Sequence, residues 1–200
     1  MDPVRRLEDA TRRLAELTRD RARTGRGHDD ADADAGTVET DDAIGFDPLP
    51  LLATLDRHGA RVCAIGQVAG ILHGSAELTG DLDLLWDGTP IQAAALAAGF
   101  AAAGAELVDD NGAPAGPDAF TLPKVQFATA TASGDCCTPA LPWGDLPVAD
   151  YLERCLTATT AGGSTVRWLA LEDLIAMRRA VGRPKDLRRA AELEALRDRP

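Results

Sequence analysis

The chain has 200 residues, of which 45% are hydrophobic, and a formal net charge of -11 at pH 7. Length and composition together predict one globular domain with a single core and room for a small appended subdomain. No apolar run reaches the roughly 18 to 20 residues that span a bilayer, and the charged N-terminus lacks the apolar stretch of a signal peptide. We therefore expect a cytoplasmic protein without a membrane partner. The negative charge disfavours broad, nonspecific binding to nucleic acid, which depends on neutralising phosphates.

The first 42 residues divide into two segments of different character. Residues 1–23 predict an amphipathic helix, because apolar residues recur at spacings of three and four and form one stripe. The stripe consists of Val4, Leu7, Ala10, Leu14 and Leu17. Residues 24–42 are rich in Gly and Asp without periodicity, so they predict a flexible acidic linker. The folded domain is then expected to cover residues 43–200.

Helices and short strands alternate along the rest of the chain. Periodicity, Gly and Pro predict helices over 47–59, 67–74, 90–104 and 148–156, and two more over 171–196, broken between Gly182 and Pro184. Strands are predicted over 61–66, 81–86, 105–108 and 165–170, with two further strands in 118–138 joined near Ser133 and Gly134. This order predicts an α/β or α+β domain, in which helices flank a small mixed sheet and further helices follow at the C-terminus.

The four cysteines predict neither a zinc site nor a redox motif. Cys63, Cys136, Cys137 and Cys155 have no zinc-ligand spacing, and two of them are adjacent. We expect all four to be small buried residues.

Two aspartates stand one residue apart in the stretch "DLDLLW", inside a run of leucines. On a strand, Asp81 and Asp83 share one face with Leu85 and lie about 7 Å apart at the backbone. Both could then ligate one divalent ion or a pair of ions, and the cost of placing carboxylates beside a core favours a metal or a cationic partner. The alternative is a solvent-exposed strand end.

The surroundings of this pair resemble the nucleotidyltransferase superfamily. A strand, Gly66, a short helix, the pair His73 and Gly74, and then Thr79 precede the two aspartates in the order that this family uses. Downstream, "LEDLIAMRRAVGRPKDL" resembles the C-terminal helical motif of minimal bacterial nucleotidyltransferases, including the AbiEii toxin-like branch. The resemblance covers about residues 47–196 and leaves out the N-terminal arm.

The resemblance implies roles for nine residues. Asp81, Asp83 and Asp135 would be catalytic and would hold two Mg²⁺ ions, although Asp135 could also be a turn aspartate beside Gly134. The glycine turn would meet the nucleotide phosphates through the amides of the helix that it opens. The nucleotide-binding residues implied in this way are Gly66, Gln67, Thr79, Arg178, Arg183 and Lys185.

Three positions depart from the family pattern. Gln67 replaces glycine or serine, Glu77 replaces an arginine found in many relatives, and Arg178 replaces a lysine and keeps the charge without a titratable ammonium. His73 fits the pattern, and it could be either functional or a satisfied histidine at a helix end.

The function implied is transfer of a nucleoside monophosphate from an NTP to an acceptor hydroxyl by two-metal catalysis. The acceptor could be RNA, a protein or a small molecule. The AbiEii-like branch also implies a toxin-antitoxin component with a cognate antitoxin. The three departures motivate an alternative of another class, a noncatalytic module of the same fold that binds a ligand or a partner.

Overall fold

The computed structural model describes residues 2–27, 30–31 and 36–198, which form a mixed α/β domain with helices around a seven-stranded sheet, as the sequence predicted. The strands are β1 (Cys63–Ala64), β2 (Leu84–Leu85), β3 (Glu106–Val108), β4 (Lys124–Ala128), β5 (Ser133–Cys137), β6 (Leu156–Thr159) and β7 (Thr165–Trp168). The helices are α1 (Pro3–Thr18), α2 (Leu49–Arg57), α3 (Gly66–His73), α4 (Pro90–Ala102), α5 (Val148–Glu153), α6 (Leu171–Val181) and α7 (Pro184–Arg197). No helix in these described ranges is long and apolar enough to cross a membrane.

The sheet has the order β3-β4-β5-β2-β1-β7-β6 and is mixed. Its centre consists of β2, which pairs antiparallel with β1 and parallel with β5. On one side β5, β4 and β3 are antiparallel, and on the other side β1 runs parallel to β7, which forms a hairpin with β6. Residues that precede β2 and residues on β5 therefore lie side by side in the middle of the sheet.

The strand predicted over 81–86 is shorter in the structure. Strand β2 itself spans only Leu84–Leu85, although hydrogen bonds from the amides of Leu82 and Trp86 continue its pairing with β5. The alternation of buried and exposed faces does not continue along it. Leu85 was expected to share the polar face of Asp83, yet it is fully buried, as are Leu84 and Trp86. The reason is that packed elements cover both faces of a central strand, so apolar residues occupy both.

Helix α1 docks on the domain through its apolar stripe. Its N-terminus is capped by Asp2, which accepts a hydrogen bond from the amide of Arg5, and the helix packs against α3 and β6. The prediction is wrong at Leu17, which is 62% exposed. Thr18 takes the buried place because it lies four residues after Leu14, on the same helical face, and its hydroxyl donates to the Leu14 carbonyl.

The junction predicted near Ser133 and Gly134 is also wrong. The turn occupies residues 129–132, where Thr129 donates to the carbonyl of Ala132, and Gly134 lies inside β5. A β-carbon on Gly134 would lie 2.1 Å from the Leu82 carbonyl oxygen. This glycine therefore permits close packing of two segments of the chain and does not mark a turn.

The cysteine prediction holds for one pair and fails for the other. Cys136 and Cys137 are free and buried, whereas Cys63 and Cys155 form a disulfide across 92 residues of sequence. Cys155 follows α5, which was expected to continue to Leu156, and the chain turns there into β6. Only the folded topology brings these two cysteines together, so their spacing carried no signal.

The segment 24–42 lies partly outside the described residues, which omit 28–29 and 32–35, and its flexibility stays a prediction. The described stretch that ends it packs against the domain. Thr37 and Thr40 are buried, and a 3-10 turn follows at Asp41–Ala43. A β-carbon on Gly80 would lie 2.5 Å from the backbone of Ala43, so this turn sits directly against the chain that leads to the aspartate pair.

Candidate functional site

A cavity of about 350 Å³ opens where β1 leads into α3 and the chain enters β2. Eight of the nine residues selected from the sequence line it: Gly66, Gln67, Thr79, Asp81, Asp83, Asp135, Arg183 and Lys185. Their chemical roles stay predictions. The ninth, Arg178, lies beneath the cavity.

The glycine turn forms one side of the cavity. Gly66 begins α3 with a φ of +59°, in the left-handed region that favours glycine. The preceding residue, Ile65, donates its amide to the Asp83 carbonyl oxygen at 2.9 Å. The turn and the aspartate segment are therefore hydrogen-bonded neighbours, with the Asp83 carboxylate directly beside the glycine.

Asp83 and Asp135 occupy matching positions on adjacent parallel strands. Leu84 lies opposite Cys136, and each aspartate immediately precedes one member of that pair. The amide of Leu82 donates to the Ser133 carbonyl at 2.9 Å and continues the same pairing. The register therefore directs both aspartates to the same side of the sheet.

Asp81 lies against β5, the strand that carries Asp135. A β-carbon on Gly134, next to Asp135, would lie 2.9 Å from Oδ1 of Asp81. Within the described ranges, however, no group of three or more His, Cys, Asp or Glu side chains is placed to hold a metal ion. Mg²⁺ is commonly held by only one or two carboxylates together with substrate phosphates and water. The oxygen donors of Asp81 and Asp83 fit that demand, and the three-carboxylate metal site stays a prediction.

Lys124 forms an ion pair with Asp135, with 3.1 Å between Nζ and Oδ2. Burial alone would lower the pKa of Lys124, but the charge and hydrogen bond of Asp135 raise it overall. The ammonium is therefore firmly charged and holds the Asp135 carboxylate toward β4.

Two threonines fix the start of the aspartate segment. The hydroxyls of Thr37 and Thr79 are 3.0 Å apart, and Thr37 also accepts a hydrogen bond from the amide of Gly80. Thr79 in turn accepts from the amide of Asp81 at 3.3 Å. Sequence analysis missed Thr37, which lines the cavity from within the presumed linker. The β-branched residues in "GTVET" were the available signal, because they interrupt an otherwise Gly- and Asp-rich stretch.

The turn between α6 and α7 supplies cations to the cavity. Arg183 donates Nε to Asp186 Oδ2 at 2.6 Å, and this bond, with the charges of Asp83 and Asp81, raises the pKa of Arg183. Burial, followed by the charge of Arg183, lowers the pKa of Lys185. The cavity is therefore lined by carboxylates at the sheet and by cations together with Asp186 at the start of α7.

Arg178 supports the glycine turn and does not line the cavity, and its predicted role in nucleotide binding stays a prediction. Its Nη2 donates to the Gly66 carbonyl at 3.0 Å and to Gln67 Oε1 at 2.7 Å. Burial lowers its pKa to about 10. A β-carbon on Gly70 would lie 2.6 Å from Nη2, so the guanidinium fits against α3 only because that helix carries a glycine there.

Gln67 and Glu77 both have partners inside the protein. Gln67 directs its amide into the protein, where Nε2 donates to Ser75 Oγ and to the Glu77 carbonyl. The Glu77 carboxylate forms an ion pair with Arg189, at 2.6 Å. Sequence analysis also missed Arg189, which lines the cavity. It follows Lys185 by four residues and so lies on the same face of α7.

Of the two alternatives for His73, the structure shows a histidine at a helix end whose hydrogen bonding is satisfied within the protein. Its Nε2 lies 2.8 Å from the Leu169 carbonyl oxygen and therefore carries a proton, and the ring packs edge-on against Trp168. Burial lowers the pKa of His73. Its ring is not part of the cavity lining.

A second cavity, of about 340 Å³, shares Asp135 with the first. It lies over β3, β4 and β5, and its acidic lining includes Asp42 and Glu106. Asp135 therefore lines both cavities.

No protein-family model matches this chain, and no curated protein is detectably similar to it. The nucleotidyltransferase resemblance rests on the residues quoted above and is carried forward only as a proposal.

Proposed function

We propose that this protein is a nucleotidyltransferase that moves a nucleoside monophosphate from an NTP to an acceptor hydroxyl. The observation that carries the proposal is that one cavity is lined both by the carboxylates of Asp81 and Asp83 and by the cations Arg183 and Lys185. A triphosphate with its divalent ions needs both kinds of side chain, because carboxylates ligate the ions and cations bind the phosphate oxygens.

The metal is assigned to Asp81 and Asp83, with Asp135 as a further ligand. Carboxylate oxygens are the ligands that Mg²⁺ prefers. When bound, two Mg²⁺ ions would polarise the α-phosphate and stabilise the charge on the attacking and leaving oxygens.

The chain's own residues account for the remaining needs of the reaction. Arg183, which Asp186 holds in place, and Lys185 bind the phosphates that leave as pyrophosphate. Asp135 accepts the proton of the acceptor hydroxyl as its oxygen forms a bond to the α-phosphorus. The bond from that phosphorus to the bridging oxygen breaks, and pyrophosphate carries away the electron pair.

The second cavity suits the acceptor because it shares Asp135 with the first cavity. Asp42 and Glu106 give it a negative lining that repels a phosphodiester chain. A hydroxyl on a protein or a small molecule therefore fits this space better than an RNA end.

A noncatalytic binding module is the second candidate. It is favoured by one observation, that no group of three or more potential metal ligands is gathered in the described part of the chain. It predicts that nucleotides stabilise the protein without any requirement for Mg²⁺.

The deciding experiment uses the full chain with each α-labelled NTP, Mg²⁺ and either total cell protein, small hydroxyl compounds or total RNA. Transfer of label that depends on Mg²⁺ supports the proposal. A parallel thermal-shift series with each NTP, with and without Mg²⁺, tests binding separately. No transfer, together with nucleotide stabilisation that ignores Mg²⁺, would replace the enzyme by the binding module.

A further inference from the structure

Arg189 is the most buried arginine on the cavity wall. Its side chain is 9% exposed and lines the cavity, whereas the Arg183 side chain is 57% exposed. A β-carbon on Gly36 would lie 2.8 Å from its Nη2, so the guanidinium lies directly against Gly36, which also lines the cavity. Burying a guanidinium there is costly unless its charge is paired and its N–H groups are hydrogen-bonded.

Glu77 fixes the direction of this guanidinium. Nε and Nη2 of Arg189 both donate to Oε1 of Glu77, at 2.8 and 2.6 Å. Two donors therefore hold the plane of the guanidinium at the cavity wall.

The cationic side chains around Glu77 also affect one another. Glu77 forms a second ion pair with Arg188, at 3.4 Å, so one carboxylate faces two guanidiniums. The charge of Arg189 lowers the pKa of both Arg178 and Lys185, after burial, so the Arg189 charge is felt across the cavity wall. An anion with several negative oxygens would relieve this repulsion.

We propose that Arg189 binds the terminal phosphates of the NTP and that Glu77 is a positioning residue that aims it. The ligand class is a polyphosphate chain, since the guanidinium fork matches phosphate oxygens and Lys185 lies on the same face of α7. This inference rests on the proposed function and deepens it by assigning the triphosphate tail to this wall.

The test measures the affinity of the full chain for the Mg²⁺ complexes of NTP and for the matching NMP, by calorimetry. Arg189→Gln should weaken NTP binding about tenfold or more and NMP binding by less than about threefold, because only the longer chain reaches Arg189. Glu77→Gln should lower the ratio of NTP to NMP affinity in the same direction, and Glu77→Asp should restore part of it. A residue that only stabilised the fold would lower both affinities together.

Arg179→Gln is the matched control. Arg179 donates Nε and Nη2 to a single oxygen of Glu194, at 3.0 and 2.6 Å. This pair joins α6 to α7 and lies away from the cavity. The control should leave the ratio of NTP to NMP affinity unchanged. Arg189→Lys provides a second variant that keeps the buried charge if the neutral one unfolds, and it should reduce the ratio through loss of the fork.

The possible results distinguish a failure of the proposed function from a failure of the role assigned to Arg189. If the parent binds no NTP, the proposed function itself fails. If the parent binds NTP and the Arg189 variants keep the same ratio as Arg179→Gln, the nucleotide site stands and the assignment of Arg189 is overturned.

Discussion

A β-carbon on Gly66 would lie 1.9 Å from Oδ2 of Asp83, far inside van der Waals contact. The turn that opens α3 and the carboxylate that precedes β2 therefore occupy one tightly shared space. Gly66 is required twice, once for its φ of +59° and once for the room that it leaves to Asp83.

Gly66→Ala tests this packing. The substitution should cost more stability than the roughly 1 kcal/mol of a left-handed alanine, because the methyl group displaces the Asp83 carboxylate. It should also weaken Mg²⁺-dependent nucleotide binding. Urea denaturation and thermal shift with Mg²⁺-NTP measure the two effects.

Gly59→Ala is the control, since Gly59 has a φ of +76° and nothing within 4 Å of its added β-carbon. It should show the conformational cost alone and normal nucleotide binding. Equal losses for the two variants would argue against the shared space as the cause.

Thr37→Val tests the hydroxyl that supports the aspartate segment. The variant keeps the shape but leaves the amide of Gly80 without its acceptor, which should cost about 1 to 3 kcal/mol in the free energy of unfolding. Nucleotide binding should weaken because the Thr37 contact to Thr79 orders the chain before Asp81. Thr54→Val on the exposed face of α2 is the control and should be nearly neutral. Unchanged stability in Thr37→Val would show that this hydroxyl is not structural.

The sequence predicted the fold class and most of the residues that share the cavity, because the signals for both are local. Gly66, the aspartates one residue apart and the basic turn before α7 each form a short pattern with a direct physical meaning. Sheet order then brings the patterns together, and eight of the nine selected residues share one cavity.

The residues that sequence analysis missed are those whose role depends on distant parts of the chain. Thr37 meets Thr79 across 42 residues, Arg189 meets Glu77 across 112, and Cys63 meets Cys155 across 92. The limits of β2 were wrong for a related reason, since the burial of Leu85 comes from elements that pack on both faces of the sheet.

His73 predicts a specific pH dependence of stability. Its pKa is lowered in the folded state by burial, offset in part by the hydrogen bond to Leu169 and reinforced by the charges of Arg178 and Arg6. The unfolded chain therefore binds more protons just below pH 6.5, and stability should fall as the pH drops through about 6.5.

His73→Gln keeps a donor for the Leu169 carbonyl and removes the titration. The difference in unfolding free energy between parent and variant should shrink between pH 8 and pH 5. Denaturation at several pH values measures it, and a constant difference would show that His73 does not contribute.

The disulfide between Cys63 and Cys155 should stabilise the fold substantially. It closes a loop of 92 residues, for which the chain-entropy model gives about 4.6 kcal/mol. Urea denaturation with and without a reducing agent measures this, and Cys63→Ala/Cys155→Ala should be insensitive to reduction.

In the native state thiol labelling should be slow, because burial raises the pKa of Cys136 and Cys137. Four reactive thiols in the unreduced, unfolded parent would contradict the disulfide.

The last prediction concerns the two aspartates on which the proposed chemistry depends. Asp81→Asn/Asp83→Asn keeps the size of both side chains and removes the charge that divalent ions require, so Mg²⁺-dependent transfer and NTP-induced thermal shift should both be lost. Without metal, the free energy of unfolding should change by less than about 1 kcal/mol. Relief of repulsion between the carboxylates is offset by lost attraction to Arg183 and Lys185. Asp118→Asn, on the exposed 3-10 turn at Pro117–Thr121, is the control and should behave as the parent. If the double variant still gains stability from Mg²⁺-NTP as the parent does, the metal lies elsewhere, and the two carboxylates serve the fold or a cationic partner.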